Sequence, residues 1–544
     1  MSLSSPGIGS GLDVKTLVDA LVKAEITPLQ TRHDNQLSSV NTELSAVGQL
    51  KSSLASLQTS LNNLSDISNF YNMKYSVSNT DFLSATLTPQ AVKGTYQVEI
   101  QKLAQQQSLA SGYLNTTSVG SGSITINFGT YNANKTTFTA NASATPVTVT
   151  IAPGSDSLIA VRDAINNTNS GVTASIVTDN QGSRLTLTSS KTGENYAMQV
   201  NSNITALKYD PTIGNNDLTE TIAAQNSVVK INGLTLTQST NQLQDAISGV
   251  TLNLKKAELG TITTFTVDDN KDQLTTLVND FVKKYNDSIT LLTNLTGYNK
   301  DTKQSGIFQG DPQFRNLKLN LSKWATSPLS QSTNPIQSLA DLGITTTDNG
   351  LLEINQDKYN AALSTNYANI GALFAKTATA TDSNIRINSV GAGVPAGKYD
   401  VSLTQFTPGV SMSGTIGTSP ATSTDGVTLN GSSELSGLSI KVLSGSTGAR
   451  GKVAVNDGIA VLMNQFLDSY MDATTGDLDQ RTKQLNKQVT ELGKTQTQID
   501  ARSVSVQNRY LKQFNALDVL LTQMQSTSSF LTQQLAALPK LTTK

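Results

Sequence analysis

Residues 477–538 read DLDQRTKQLNKQVTELGKTQTQIDARSVSVQNRYLKQFNALDVLLTQMQSTSSFLTQQLAAL. Stepped by four and three, the positions Leu485, Val489, Leu492, Gln496, Ile499, Ser503, Val506 and Tyr510 make one seam. A second four-step follows Tyr510, and the seam resumes at Phe514, Leu517, Leu521, Met524, Ser528, Leu531, Leu535 and Leu538. Two consecutive fours are a stutter, which unwinds a left-handed supercoil locally without ending the helix. At roughly 1.5 Å per residue the stretch reaches about 90 Å, more than one compact domain needs, so the helix requires partners along its length. No proline precedes Pro539, and the single interior glycine, Gly493, costs about 1 kcal/mol.

A partner stands at the other end of the chain. Leu37, Val40, Leu44, Val47, Leu50, Leu54, Leu57, Leu61 and Leu64 recur at threes and fours, with one stammer between Val47 and Leu54. Ahead of them, Ser10 and Asp13 have the spacing to cap a helix carrying Val14, Leu17, Val18, Leu21 and Val22, and Pro28 predicts a stop at Thr27. Both ends of the chain are therefore helical and apolar on one face, with the middle hung from them.

That middle changes period from about Phe70. Tyr96, Val98 and Ile100 alternate, as do Ile124, Ile126 and Phe128, and Val147, Val149 and Ile151. One short helix, Ser157 to Asn167 with Asp156 as its expected cap, interrupts the strands, and 172–177 with 184–188 read as a hairpin over Asp179–Gly182. Helical spacing returns at Leu274, Leu277, Phe281, Tyr285, Ile289 and Leu292, around Phe314 to Trp324, and over Asn360 to Phe374. The block Ala378 to Lys452 is again strand-rich and echoes the first. GTYQVEIQKL at 94–103 resembles GKYDVSLTQF at 397–406, and SGVTLNL at 248–254 resembles SGLSIKV at 436–442. After each pair comes a strand and then a helix, LVNDFVKKY at 277–285 and LMNQFLDSY at 462–470. An ordered set of echoes marks repetition of a whole unit.

The expected class is α+β: paired terminal helices, a mixed helical domain, and nested antiparallel β-domains. The boundaries are 1–45 with 510–544 for a terminal leg, 46–73 with 269–377 and 453–509 for the mixed domain, 74–117 with 223–268 for a β-rich domain, 118–222 for an outer β-rich domain, and 378–452 for an additional inserted β-domain.

Composition narrows the function. Charged residues are 15% of 544, well below the usual share of about 25%, and Ser, Thr, Asn and Gln fill the gap. Such a surface suits packing among many similar chains, since few charges need desolvation. With 39 basic and 40 acidic residues and no long basic run, nucleic acid is not expected as a partner. There is no cysteine, which excludes disulfides and thiolate chemistry, and the one histidine, His33, excludes a histidine metal site or triad; it is expected to be a solvated helix residue. The N-terminus lacks the pattern of a Sec signal and no run of 18 apolar residues exists, so no membrane insertion is expected and the protein stays inside or leaves by a route without a cleaved signal. The glycines of Gly7–Gly11 lack the lysine and spacing of a phosphate loop, and Asp268, Asn270 and Asp272 lack the glycine and glutamate of a calcium loop. No catalytic site, metal or cofactor is expected. The informative features are interfacial, above all the charge-free run from Val519 to Pro539.

At this point the residues resemble a family. The opening Ile8-Gly-Ser-Gly-Leu-Asp13, the unit VRDAINN at 161–167 with GVTASI at 171–176, LGIT at 342–345, and the ending YLKQF at 510–514 with SSFLTQQL at 528–535 are similar to bacterial flagellar filament-capping proteins, the hook-associated protein 2 family. The resemblance implies a leg of paired terminal helices, a plate of β-domains, and a ring of copies, often five, at the filament tip. That ring guides exported flagellin as it folds and prevents its leakage. It implies as partners further copies of the chain, flagellin, the hook–filament junction proteins and a cytoplasmic export chaperone, with secretion through the flagellar export apparatus. It assigns an N-terminal leg or export motif to Ile8, Gly9, Gly11, Leu12, Asp13, Leu17 and Leu21. Terminal coiled-coil packing falls to Leu44, Leu54, Leu57, Leu61, Ile499, Val506, Tyr510, Phe514, Leu517, Leu521, Met524, Leu531 and Leu535. The block Ala378 to Lys452 departs from the shorter family members, so plate size and subunit number do not carry over. The alternatives are an adhesin at the filament tip that binds glycans, or a phage-tail or cytoplasmic coiled-coil scaffold. Loss of a pure adhesin would leave filaments intact, and a scaffold would be retained in cells.

Overall fold

The structure, a computed structural model, describes residues 13–169, 171–329 and 334–536. Eight α-helices punctuate them: α1 Val14–Ser65, α2 Leu158–Asn167, α3 Lys271–Thr296, α4 Pro312–Thr326, α5 Gln356–Thr365, α6 Tyr367–Phe374, α7 Ile459–Met471 and α8 Asp477–Ala536. The strands between them are antiparallel, so the class is α+β as expected. The described residues fall into two compact units, one drawn from the chain before Tyr71 and after Lys271, the other Tyr71–Lys271.

In the first unit, the leucine stripe of α1 does what its spacing predicts. Leu50, Leu54, Leu57, Leu61 and Leu64 are fully buried with Leu274, Phe281 and Tyr285 of α3, Phe314 and Leu321 of α4, Phe374 of α6, Met463 and Leu467 of α7, and Leu478 and Leu485 at the start of α8. Two terminal stops fall elsewhere than predicted. Asp13, not Ser10, is the N-cap of α1, its carboxylate accepting from the Thr16 amide; Ser10 lies outside the described residues. The helix also runs straight through Pro28. A proline inside a helix costs roughly 3 kcal/mol, and contacts to α8 on both sides of it, from Glu25 and from Gln30, hold the turn in place. The predicted helix over 360–374 is two, α5 and α6, broken at Asn366, whose φ of -129° and ψ of 20° leave the helical region.

The inserted β-block forms an eight-stranded sheet in the order 377–380, 448–456, 397–407, 411–416, 419–423, 428–431, 438–442, 385–390. Its two outermost strands are consecutive in the chain, so the sheet wraps round and leaves little open edge. It encloses its own core of Val401, Leu403, Ile416, Leu429, Ile440 and Val453. The neck joining it to the helices is short. Lys376, just before the first strand, pairs with Asp457, just after the last, at 2.8 Å, with only 8% and 10% of their side chains exposed. A Cβ on Gly458 would stand 2.2 Å from the Phe374 backbone, so the outgoing and returning chains touch there.

The second unit, Tyr71–Lys271, contains a five-stranded sheet in the order 73–77, 262–269, 94–102, 227–231, 234–238, over a core of Phe82, Leu83, Val98, Val229, Leu252 and Phe265. A further core gathers Ile124, Ile126, Leu185, Leu187, Met198 and Val200 around α2. Ser157 rather than Asp156 caps that helix, accepting from the Ala160 amide, because Asp156 is engaged by the Ser118 hydroxyl. The hairpin forms over 172–179 and 182–189 with Asp179 opposite Gly182.

The sequence echo is an echo of topology. Strand 94–102 pairs with 262–269, which also pairs with 73–77; strand 397–407 pairs with 448–456, which also pairs with 377–380. Gly94 sits opposite Val267 and Gly397 opposite Val455. Tyr96 donates to the carbonyl four residues back, at Val92, and Tyr399 does the same to Pro395. Each set leads into a helix with Phe and Tyr one turn apart and their rings tilted against each other, Phe281–Tyr285 and Phe466–Tyr470, with ring centroids 6.1 and 5.9 Å apart.

Candidate assembly surface

The candidate site is a helix pair and its overhang. Beyond the bundle, α8 leaves antiparallel to the first half of α1. Glu43 meets Arg481 at 3.0 Å, His33 meets the Leu492 carbonyl at 3.0 Å, and Gln30 and Gln496 exchange amide hydrogen bonds of 2.7 and 3.0 Å. Nearer the chain ends, Glu25 takes Arg509 at 2.6 Å and Arg502 at 3.3 Å. The apolar seam between these contacts is Val14, Val18, Ile499 and Val506, all buried, with Leu492, Ser503 and Tyr510 half-buried. Spacing on the two helices produces this directly, since fours and threes keep one stripe facing the partner.

Polar contacts fix the register of the pair. Both ring nitrogens of His33 face acceptors, Nε2 the Leu492 carbonyl and Nδ1 the Asp34 carboxylate, each at 3.0 Å. His33 is 5% exposed, which corrects the expectation of a solvated residue. It lies four residues before Leu37 and so extends the α1 stripe, a signal present in the sequence. Its hydrogen bond, followed by that of Gln30, holds the Asp34 carboxyl below the ordinary range. At Glu25 desolvation pushes the carboxyl up, but hydrogen bonds and charge from Arg502 and Arg509 outweigh it and leave the group lowered. Sequence reasoning had missed Glu25, Gln30, Arg502 and Arg509; the seven-residue spacing of the two arginines, which sets both on one helix face, was the available clue.

The sequence-predicted site residues divide into four sets. Ile8, Gly9, Gly11 and Leu12 lie outside the described residues, Asp13 is the cap of α1, and Leu17 and Leu21 are exposed. Leu54, Leu57 and Leu61 are in the bundle core, with Leu44 packed at its margin. Ile499 and Val506 are buried against α1, and Tyr510, Phe514 and Leu521 are half-buried. Leu517, Met524, Leu531 and Leu535 are exposed, by 43, 68, 54 and 68%. Val519, Leu520 and Phe530 are exposed beside them. The last turns of α8 thus present apolar side chains and no charge after Asp518. Such a surface associates with other protein and carries no group for acid–base or metal chemistry. Among the described residues no three metal-ligating side chains converge, and no helix is long and apolar enough to cross a membrane.

Residues 224–526 match the family described as Flagellar hook-associated protein 2 C-terminus, residues 10–107 its N-terminus, and residues 124–191 the Flagellin hook IN motif. A flagellar hook-associated protein 2 of Escherichia coli (strain K12) is 31% identical over 551 residues, covering 98% of each chain. The A-type flagellar hook-associated protein 2 of Pseudomonas aeruginosa is 32% identical over 68% of this chain and 79% of its own. The crystal structure of the D1-D2-D3 domains of the flagellar cap protein FliD from Escherichia coli matches 81% of this chain and 99% of its own at 26% identity, with a TM-score of 0.52.

Proposed function

The chain belongs to the flagellar hook-associated protein 2 family, and we propose from that premise how it works as a flagellar filament cap. Several copies form a ring at the distal tip of the filament, reached through the flagellar export apparatus with the help of a cytoplasmic export chaperone. The ring meets the hook–filament junction proteins first and then rides on the growing end. Its β-domains confine each emerging flagellin while it folds and block its escape, and its helical legs engage the open filament. The work is steric and conformational, without catalysis or cofactor.

One observation carries this reading: among the described residues, α8 continues past the start of its partner α1 with an apolar, charge-free surface, in a chain whose family caps filaments. A long uncovered helix of this kind is stable in an assembly and poorly supported alone. The test is deletion of the gene in its source, with flagellin measured in the medium and on cells. Monomeric flagellin in the medium with filaments lost supports capping, and restoration by the full chain but not by a chain ending at Asp518 ties the defect to the overhang. Full-length filaments after deletion would refute it.

A further inference from the structure

The two β-units differ at one strand edge. Each has a hairpin with a two-residue turn. Strand 227–231 turns through Asn232 and Gly233, at φ of 49° and 84°, into 234–238, and strand 411–416 turns through Gly417 and Thr418 into 419–423. In such hairpins the residues flanking the turn exchange both hydrogen bonds, so every second residue beyond them directs its N–H and C=O away from the partner strand. Counted from Ile231 opposite Leu234, the outward residues are Thr235 and Thr237; counted from Ile416 opposite Ser419, they are Pro420 and Thr422. The Asn232 amide, bonded to the Gln97 carbonyl on the other side of its hairpin, has the parity this requires.

The second unit closes this edge. Thr422 pairs with Asn430 of strand 428–431, while Pro420 has no N–H to offer and its carbonyl accepts from the Ser432 hydroxyl at 2.6 Å. The first unit leaves the edge open. Strand 234–238 is the last of its five-stranded sheet, and the next strand, 242–247, pairs only with 250–254. Among the described residues, none outside 227–231 hydrogen-bonds to the backbone of Thr235 or Thr237, and both threonines are exposed. The strand lies in Tyr71–Lys271, where every residue but Ser170 is described. Leu234–Gln238 also lacks the usual guards of an edge, with neither charge nor proline nor bulge.

An edge of this kind recognises main chain and is tolerant of side chains. It favours a segment that arrives extended, with its own N–H and C=O groups unsatisfied. The segment that fills the same place in the second unit, Thr-Leu-Asn-Gly at 428–431, is short, uncharged and held by strand pairing. We infer that strand 234–238 is a docking edge for an extended stretch of incoming flagellin, which adds to the sheet beside Thr235 and Thr237 before it folds. The inference rests on the capping reading, which supplies an unfolded chain at the β-domains.

Thr235→Pro puts into the first unit the residue that the second already carries at the equivalent place, opposite Thr415. It removes an outward N–H and leaves the bonds to 227–231 intact. The full-length variant is expected to keep the wild-type unfolding midpoint and oligomeric size. Returned to a strain lacking the gene, it is expected to raise flagellin in the medium about fivefold, the order of one lost backbone hydrogen bond. Wild-type leakage from a stable variant overturns the inference. Independently of that variant, the photocrosslinker p-benzoylphenylalanine at position 237 is expected to capture flagellin in exporting cells, where the same probe at position 422 captures none. Capture of a second copy instead, or of nothing while filaments grow normally, overturns the inference and leaves capping standing. Slow amide exchange at Thr235 and Thr237 in the isolated chain would place the occupant within the chain and overturn it as well. Full-length filaments in the strain lacking the gene remove the capping reading and this inference together.

Discussion

Lys376→Met tests the neck of the inserted β-domain. The ammonium and the Asp457 carboxylate are both about nine-tenths buried and 2.8 Å apart, and Lys376 also donates to the Val394 carbonyl. Removing the cation strands a buried carboxylate, a loss of about 3–5 kcal/mol. Removing both charges, in Lys376→Met with Asp457→Leu, leaves nothing stranded and should recover all but about 1 kcal/mol of that loss. The protein has its own reporter: Trp324, the sole tryptophan, lines a cavity of about 240 Å³ with Gly397, Asp457 and Ile459 at this junction. In urea, followed by Trp324 fluorescence, the single variant should lower the midpoint by about 1.5–2.5 M at a slope of roughly 2 kcal/mol per M. A shift worth less than about 1 kcal/mol, or a double variant as weak as the single one, refutes the claim that the buried pair locks the neck.

Other outcomes follow from the same structure. Gly458→Ala forces a Cβ against the Phe374 backbone, where no side chain can move aside, and should cost about 1–3 kcal/mol in the same assay. Leu57→Ala empties a fully buried position of the helical core and should cost about 2–5 kcal/mol, read by thermal unfolding in circular dichroism. The Glu25 carboxyl is lowered in the folded state, so its contribution is present above the ordinary glutamate value of 4.5 and lost as pH falls through the folded value. Amide exchange in residues 499–510 should therefore quicken on acidification more in the wild type than in Glu25→Gln. A chain ending at Asp518 should keep the α1–α8 contacts from Glu25 to Glu43, with unchanged exchange there, while losing capping.

Much of this protein was legible in its residues because the decisive signals are periodic. The seam of α8 from Leu485 to Tyr510 and the stripe of α1 from Leu37 to Leu64 are buried or half-buried at every position named, since a helix converts spacing into a face whatever the partner. The repeat was legible for the same reason, with Tyr96 and Tyr399 making the same local contact in both copies. Pro28 misled because a local rule about proline yields to tertiary support on either side. His33 misled because composition says what a lone histidine commonly does, and only the facing helix says what this one touches.

By itself the sequence determined the α+β class, the terminal helices and the repeated β-unit, because each is set by a local period that the backbone must obey. It left open which part of each stripe meets which partner. Tertiary structure decided that Leu54, Leu57 and Leu61 belong to the bundle core, that the contacts of the terminal pair run from Glu43 with Arg481 to Glu25 with Arg509, and that among the described residues α8 continues beyond the start of α1. The reason is physical: spacing fixes direction around a helix axis, while register along the axis is fixed by individual contacts such as Glu25 with Arg509 and Gln30 with Gln496, which exist only once the two ends of the chain have met.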